Sequence, residues 1–271
     1  MELQFSLYSA GVLAPGVNSL ADWLGWCKTR EPIVTETTLL PLPLALPANE
    51  RRRSSQVVRL ALACAEQALA GSPFAADQHR SVFTSDEGSG EVCQQMLEAL
   101  ATTGQVSPSL FHNSVHNAPA GYFSIATRNR QPTVSVSLGG ESFAAGLLCA
   151  VSEACSSGQP VLLLAYDAPL PEPMRALLPI AHATASAWVI ASASAPLPAQ
   201  APLGRFALSL HPAAADSDGA PATWLPAAWR ANSSAQAFAV LALLASGGGR
   251  CELAFGQQRI GVTLMESRAA C

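Results

Sequence analysis

The residues best suited to chemistry gather in one stretch, Gly139-Gly140-Glu141-Ser142-Phe143. Gly140 to Ala144, G-E-S-F-A, is one residue away from G-x-S-x-G, the tight turn that presents a nucleophilic serine at the head of a helix. Asp167 and His211 follow downstream, in the Ser, Asp, His order that would suit a serine hydrolase. Against that reading, only one helix separates Ser142 from Asp167, and no H-G-G-G-type stretch precedes the turn to supply oxyanion donors. The residue at the bend itself is Glu141. It is a poor acyl-transfer nucleophile, but a helix N-terminus favours an acid there by about 0.3 to 1 kcal/mol.

Other groupings say less. His112 and His116 have the spacing of two metal ligands on one helix face, but no third ligand follows in H-E-x-x-H fashion. No metal and no cofactor is expected, and His112, Asn113, His116 and Asn117 read as structural hydrogen-bonding residues. Ser85 to Gly90, S-D-E-G-S-G, is a Gly-rich turn without G-x-x-x-x-G-K-[ST], and its two acids would repel phosphate. Arg51-Arg52-Arg53 reads as a solvated charge run.

The elements that must position these residues follow from periodicity. Thr133 to Ser137 alternate as a strand, Gly139-Gly140 permit a sharp turn, and Phe143, Ala144, Leu147 and Leu148 recur at helical spacing. Leu3 to Tyr8 read as a strand, and Ser19 to Cys27 as a short helix. Pro41 to Pro47 form an extended connector. Asn49 is expected to cap a helix whose best-patterned part is Gln56 to Ala70, with Arg51 to Arg53 in its first turns. Val82 to Thr84 form a strand followed by a helix through Leu100, and Phe111 to Ala126 read as one further helix. Val161 to Tyr166 is a buried strand, and Ala185 to Ala193 and Arg205 to Leu210 are further strands. Ala195 to Pro202 is a linker and Pro212 to Pro221 a polar loop. A last helix, Ser233 to Leu244, leads into a hairpin of Cys251 to Phe255 and Ile260 to Met265, turning at Gly256-Gln257-Gln258. Strands alternating with helices predict an α/β fold.

With 49% hydrophobic and 13% charged residues, the chain is too apolar to be disordered, and some of that surface should be covered by a partner. A net charge of −4 argues against nucleic acid. The seven cysteines are scattered, with no CxxC pair, which fits a reducing cytoplasm. The first residues, M-E-L-Q-F-S-L-Y-S-A-G, lack a signal-peptide pattern. No stretch reaches the roughly 18 apolar residues of a membrane helix, so a soluble chain is expected.

Taken in order, these stretches resemble the β-ketoacyl synthase branch of the thiolase superfamily. R-R-R-S-S-Q-V-V-R-L-A-L-A-C-A-E-Q-A is similar to an early synthase helix, and V-F-T-S-D-E-G-S-G to the strand after it. F-H-N-S-V-H-N-A-P-A-G-Y-F-S-I-A resembles the Asn-Ala-x-x-Gly helix, and S-L-G-G-E-S-F-A-A-G the strand and helix that carry the catalytic Cys. The likeness covers about Ser54 to Asp167 and returns at Ser233 to Met265, where A-F-G-Q-Q resembles the closing Phe-Gly hairpin. It implies a thiolase-like layered fold with an abbreviated second half. The single domain would divide into halves of about 1–194 and 203–271.

The departures carry the functional expectation. Glu141 occupies the position of the nucleophilic Cys. No His precedes the last helix, where the chain reads P-A-A-W-R-A-N-S-S, and His-Gly-Thr-Gly-Thr is absent. Cys149 and Cys155 lie too far along the helix to substitute. This pattern resembles the chain-length-factor partners of synthases, in particular the short synthase-like proteins of aryl polyene pathways. The resemblance implies no condensation activity of the chain alone and a heterodimer with a catalytic β-ketoacyl synthase, with acyl carrier protein met indirectly; the alternative within the same family is a synthase-like decarboxylase or acyltransferase using Glu141. It also implies that the strand before the turn pairs with a counterpart across a two-fold axis. Glu141, Ser142, Phe143, His112, Asn113, His116, Asn117, Tyr122 and Phe123 are then the pocket or interface residues, and a proline at Val134 or Val136 should abolish pairing.

Overall fold

Eight strands hydrogen-bond into one mixed sheet in a computed structural model that describes residues 2–33, 37–196, 198–213 and 223–268. In chain order they are β1 (Glu2–Leu13), β2 (Arg80–Thr84), β3 (Thr133–Val136), β4 (Val161–Asp167), β5 (Thr184–Ser192), β6 (Gly204–Pro212), β7 (Gly249–Phe255) and β8 (Gln258–Ser267). Across the sheet the order is β3-β2-β4-β5-β1-β6-β8-β7. β3, β2 and β4 run parallel and every other pairing is antiparallel. Five strands come before residue 195, and the three that follow join them through the β1–β6 pairing.

Period-2 alternation sends successive side chains to opposite cores. From β4, Val161, Leu163 and Ala165 face one core, and Leu162, Leu164 and Tyr166 face the other. The first core is covered by α1 (Leu20–Thr29), α7 (Ser142–Ser157) and α9 (Gln236–Ser246). The second is covered by α3 (Gln56–Ala70) and α6 (Ala118–Thr127). β4 and β5 are buried along their whole length, as strands covered on both faces must be. The remaining helices are α2 (Ala48–Arg53), α4 (Gly90–Thr103), α5 (Pro108–Ser114) and α8 (Met174–Leu177).

Two expectations about helices are corrected. Asn49 does not cap α3. Arg51 to Arg53 belong to the separate α2, and α3 is capped by Ser55, whose hydroxyl accepts from Val58 N. Phe111 to Ala126 is not one helix, because the chain turns extended at Val115 before α6 starts. Pro119 explains the break. Its ring would collide with the carbonyl four residues back, at Val115, and it offers no N–H to bond that carbonyl. The polar loop expected at Pro212 to Pro221 lies mostly in 214–222, outside the described residues.

Among the described residues β3 is an edge strand, paired with β2 alone. Its register on β2 decides which of its groups are free. Ser81 and Phe83 pair with Thr133 and Ser135, and Ser81 N and Ser85 N donate to Pro132 O and Val136 O. In a parallel ladder this turns the N–H and C=O of Val134 and Val136 toward β2 and those of Ser135 outward. Val134 or Val136 is therefore the wrong site for a proline meant to block an added strand, because both already serve the chain's own sheet. Among the described residues no helix is long and apolar enough to cross a membrane.

Candidate functional site

The bend between β3 and α7 is built as its residue types require. Gly139 adopts φ +53, a left-handed value that favours glycine. α7 then lies close against β2. A side chain at Gly146 would meet the Thr84 side chain within 2.8 Å, so only glycine fits there. Thr84 also ties down the helix start, its hydroxyl donating to Ser142 O at 2.6 Å.

Glu141 occupies the N-cap position of α7 and is half-buried. Its carboxylate does not cap its own helix. Instead Glu141 Oε2 accepts from Gly256 N, in the β7–β8 turn, at 2.8 Å. Ser142 is fully buried. Its hydroxyl donates to Gly139 O at 2.6 Å and accepts from Leu138 N at 2.8 Å, which fixes the turn. Phe143 N, a helix-start amide with no partner inside the helix, donates to Ser233 Oγ at 2.8 Å. Gln236 adds a hydrogen bond from its amide to Gly140 O at 2.8 Å.

Behind the bend lies a polar network that sequence reasoning does not foresee. Asp167 Oδ1 accepts from Ser85 Oγ and Asp86 N, and Oδ2 accepts from Ser234 N. Thr184 and Ser234 share a hydrogen bond between their hydroxyls, and Asn232 donates to Thr184 Oγ1 and to His182 O. The residues just before the last helix therefore do reach the head of α7, but as serines and an asparagine. A sequence signal for the network existed: Asp86 and Asp167 follow or end adjacent parallel strands, whose C-terminal ends lie together.

The serine hydrolase reading is overturned. His211 lies at the other side of the sheet, on β6, where its Nε2 is 3.0 Å from Glu252 Oε2 and 2.8 Å from an Arg250 nitrogen. Asp167 spends both oxygens on other donors, and the Ser142 hydroxyl donates to Gly139 O rather than to a base. Burial works against four of the thiols as nucleophiles. Burial pushes Cys27 up to about 11 and Cys251 up to about 12, and it raises Cys64 and Cys149 as well.

The remaining predicted residues do not converge on one site. Phe143 packs edge-on against Trp188 in the first core. Tyr122 and Phe123, expected beside a partner, pack into the second core. Tyr122 also lines a cleft of about 610 Å³ together with exposed His112, whose ring meets it edge-on. Asn113 is buried and donates to Arg53 O and Ser109 O, and His116 Nε2 lies 3.4 Å from Ser85 O. Asn117 lines a groove of about 450 Å³ between α6 and β3, with Gly121, Ser124, Thr133 and Ser135. Exposed apolar side chains sit close by in the chain: Phe111, Val115, Ile125, Val134 and Leu138. Among the described residues no group of three or more His, Cys, Asp or Glu is arranged to hold a metal ion.

Residues 23–253 match the family described as β-ketoacyl synthase, N-terminal domain. No curated protein matches the chain. Several solved structures share its fold. One is a chain from a ketosynthase in complex with its chain length factor from Xenorhabdus doucetiae, 21% identical, with 96% of this chain and 99% of that one aligned at a TM-score of 0.73. A second is the ishigamide ketosynthase/chain length factor, 14% identical over 97% and 99%, at 0.74. A third comes from a type II polyketide synthase acyl-carrier protein in complex with its ketosynthase bound to the hexaketide, 12% identical over 99% and 100%, at 0.75.

Proposed function

We infer the function from one premise: the chain belongs to the β-ketoacyl synthase family. Within it the chain acts as a non-catalytic, chain-length-factor-like partner of a catalytic β-ketoacyl synthase. It serves acyl elongation of the polyene or fatty-acid type in the cytoplasm, with aryl polyene assembly the setting its motifs favour. The acyl carrier protein reaches it through the synthase, and no cofactor takes part. The chain is one domain in two unequal halves, about 1–194 and 203–271.

One observation carries this reading: the head of α7 is closed by the chain's own groups. Acyl transfer needs a nucleophile, a base and free donors for the developing oxyanion. Here Glu141 stands at the bend, its carboxylate takes the Gly256 N–H, and Ser233 takes the Phe143 N–H. Ser142 is used inside the turn. A scaffold of this family with its reaction centre occupied in this way fits a role in shaping a partner's pocket. The open edge of β3 and the apolar side chains near it give a partner a surface to cover.

The test is co-expression with a Cys- and His-containing synthase from the same gene neighbourhood, then size-exclusion chromatography with light scattering. A stable one-to-one complex that elongates malonyl-derived chains is the expected result. A soluble monomer that never co-purifies with a synthase would refute the reading.

A further inference from the structure

We propose that Asp86 and Asp167 form a proton-operated clasp that holds the Ser137–Gly140 turn against the C-terminal ends of β2 and β4. The geometry is specific. Asp167 is 1% exposed and joins three segments, accepting from Ser85 Oγ at 3.2 Å, Asp86 N at 2.9 Å and Ser234 N at 2.7 Å. Asp86 is 7% exposed, and its carboxylate Oδ2 is buried with no hydrogen-bond partner. Its carbonyl accepts from Ser137 Oγ at 2.9 Å, and its Oδ1 lies 3.8 Å from where a Cβ on Gly139 would stand. Asp86 is therefore the link between the Asp167 carboxylate and the bend.

Among the described residues, the charges that act on Asp86 are acidic. Asp167 faces it from β4 and Glu87 follows it in the loop. His116, from the break between α5 and α6, is directed to Ser85 O. Glu141, at the head of α7, directs its carboxylate to Gly256, Ser137 just after β3 gives its hydroxyl to Asp86 O, and Ser234 gives its backbone N–H to Asp167. Burial first, then the charges of Asp167 and Glu87, push the Asp86 carboxyl up to about 6.

With its proton, Asp86 sits beside Asp167 as a neutral acid and the clasp is closed. When the proton leaves to solvent, two carboxylates share a buried site, and repulsion favours turning the Asp86 side chain out to water. That movement strains the Asp86 N to Asp167 bond and the Ser137 to Asp86 bond together. Gly139 and Gly140 allow the bend to follow, since the space where a Cβ on either would stand is free of neighbouring atoms out to 3.4 Å. The clasp belongs to the chain itself and stands whether or not a synthase docks on β3.

Hydrogen–deuterium exchange of the full chain tests this, with rates corrected for intrinsic chemistry and read in peptides covering Ser137 to Ser142. Between about pH 5 and about pH 7.5 the opening constant should rise by about tenfold or more. Each pH unit over which the closed clasp keeps a proton that the open one has lost contributes about a factor of ten. Asp86→Asn, neutral and of the same shape, should keep the segment protected at both values. A wild type without pH dependence, or an Asp86→Asn variant that opens like it, overturns the clasp. If the variant fails to fold, carboxyl carbon NMR of the wild type decides: Asp86 titrating near its ordinary value rather than near 6 refutes the proposal.

Discussion

Glu141 Oε2 accepts the Gly256 N–H at 2.8 Å across 115 residues of sequence. The bond fastens the head of α7 to the β7–β8 hairpin, so a carboxylate at the bend serves as a tie between segments far apart in the sequence. Glu141→Gln keeps an acceptor and should leave stability nearly unchanged. Glu141→Ala should cost about 1 kcal/mol, as a lost charge-assisted bond at a half-buried site. Urea unfolding measures both. Neither variant, nor the wild type alone, should elongate an acyl chain on a carrier protein. Turnover by the isolated wild type above that of Glu141→Ala would contradict the partner reading.

Ser142 should behave as a structural residue. Fluorophosphonate probes are expected to leave it unlabelled in intact-mass spectra, because its hydroxyl is buried and held by Gly139 O and Leu138 N. Ser142→Ala leaves Leu138 N without its partner and should destabilise the fold by about 1 to 3 kcal/mol. Stoichiometric labelling that disappears in Ser142→Ala would restore a hydrolase.

Stability should fall as pH rises through the acid range. The Asp86 carboxyl is raised in the native chain from 3.8 to about 6, so the native state holds this proton after the unfolded chain has released it. Below both values the group contributes no difference. Between them stability declines with rising pH, and above about 6 the loss is complete. Asp86→Asn has no such proton to lose. Its melting temperature should match the wild type near pH 4 and exceed it by a few degrees at neutral pH. Parallel melting curves for the two proteins across that range would rule the effect out.

The bend is legible in the sequence because its signals are local. Alternating valines, a Gly-Gly pair and helical apolar spacing each dictate their own few residues, and together they place β3, the turn and α7. The buried strand Val161 to Asp167 is legible for the same reason. The side-chain contacts are not. Whether Ser142 faces outward or ties its own turn depends on where Leu138 N and Gly139 O point, which sequence spacing does not encode. Asp167 shows the difference most clearly. Its place at a strand end can be read, yet its partners come from residues 81 positions before it and 67 after it. The helix break at Val115 has a local cause in Pro119, but the apolar pattern runs on through it and hides the break.

The last prediction concerns the β3 edge. Val134 and Val136 direct their backbone groups to β2, so Thr133 and Ser135 turn their N–H and C=O outward, Ser135 the more central of the two. A partner strand added to this edge would take its central hydrogen bonds from Ser135, while Gly121 and Ser124 on α6 let it approach closely along the groove. Ser135→Pro removes that outward N–H and breaks no bond to β2. It should therefore leave the fold intact by circular dichroism and abolish co-purification with the synthase. Val134→Pro is the contrasting variant. It strikes the internal ladder and should lower thermal stability as well as assembly. Permanent interfaces bury about 2,000 Å² or more, so the Ser135→Pro chain, folded but unpartnered, should also be the more prone to aggregate when co-expressed. A complex of undiminished yield with Ser135→Pro would place the partner on some other surface.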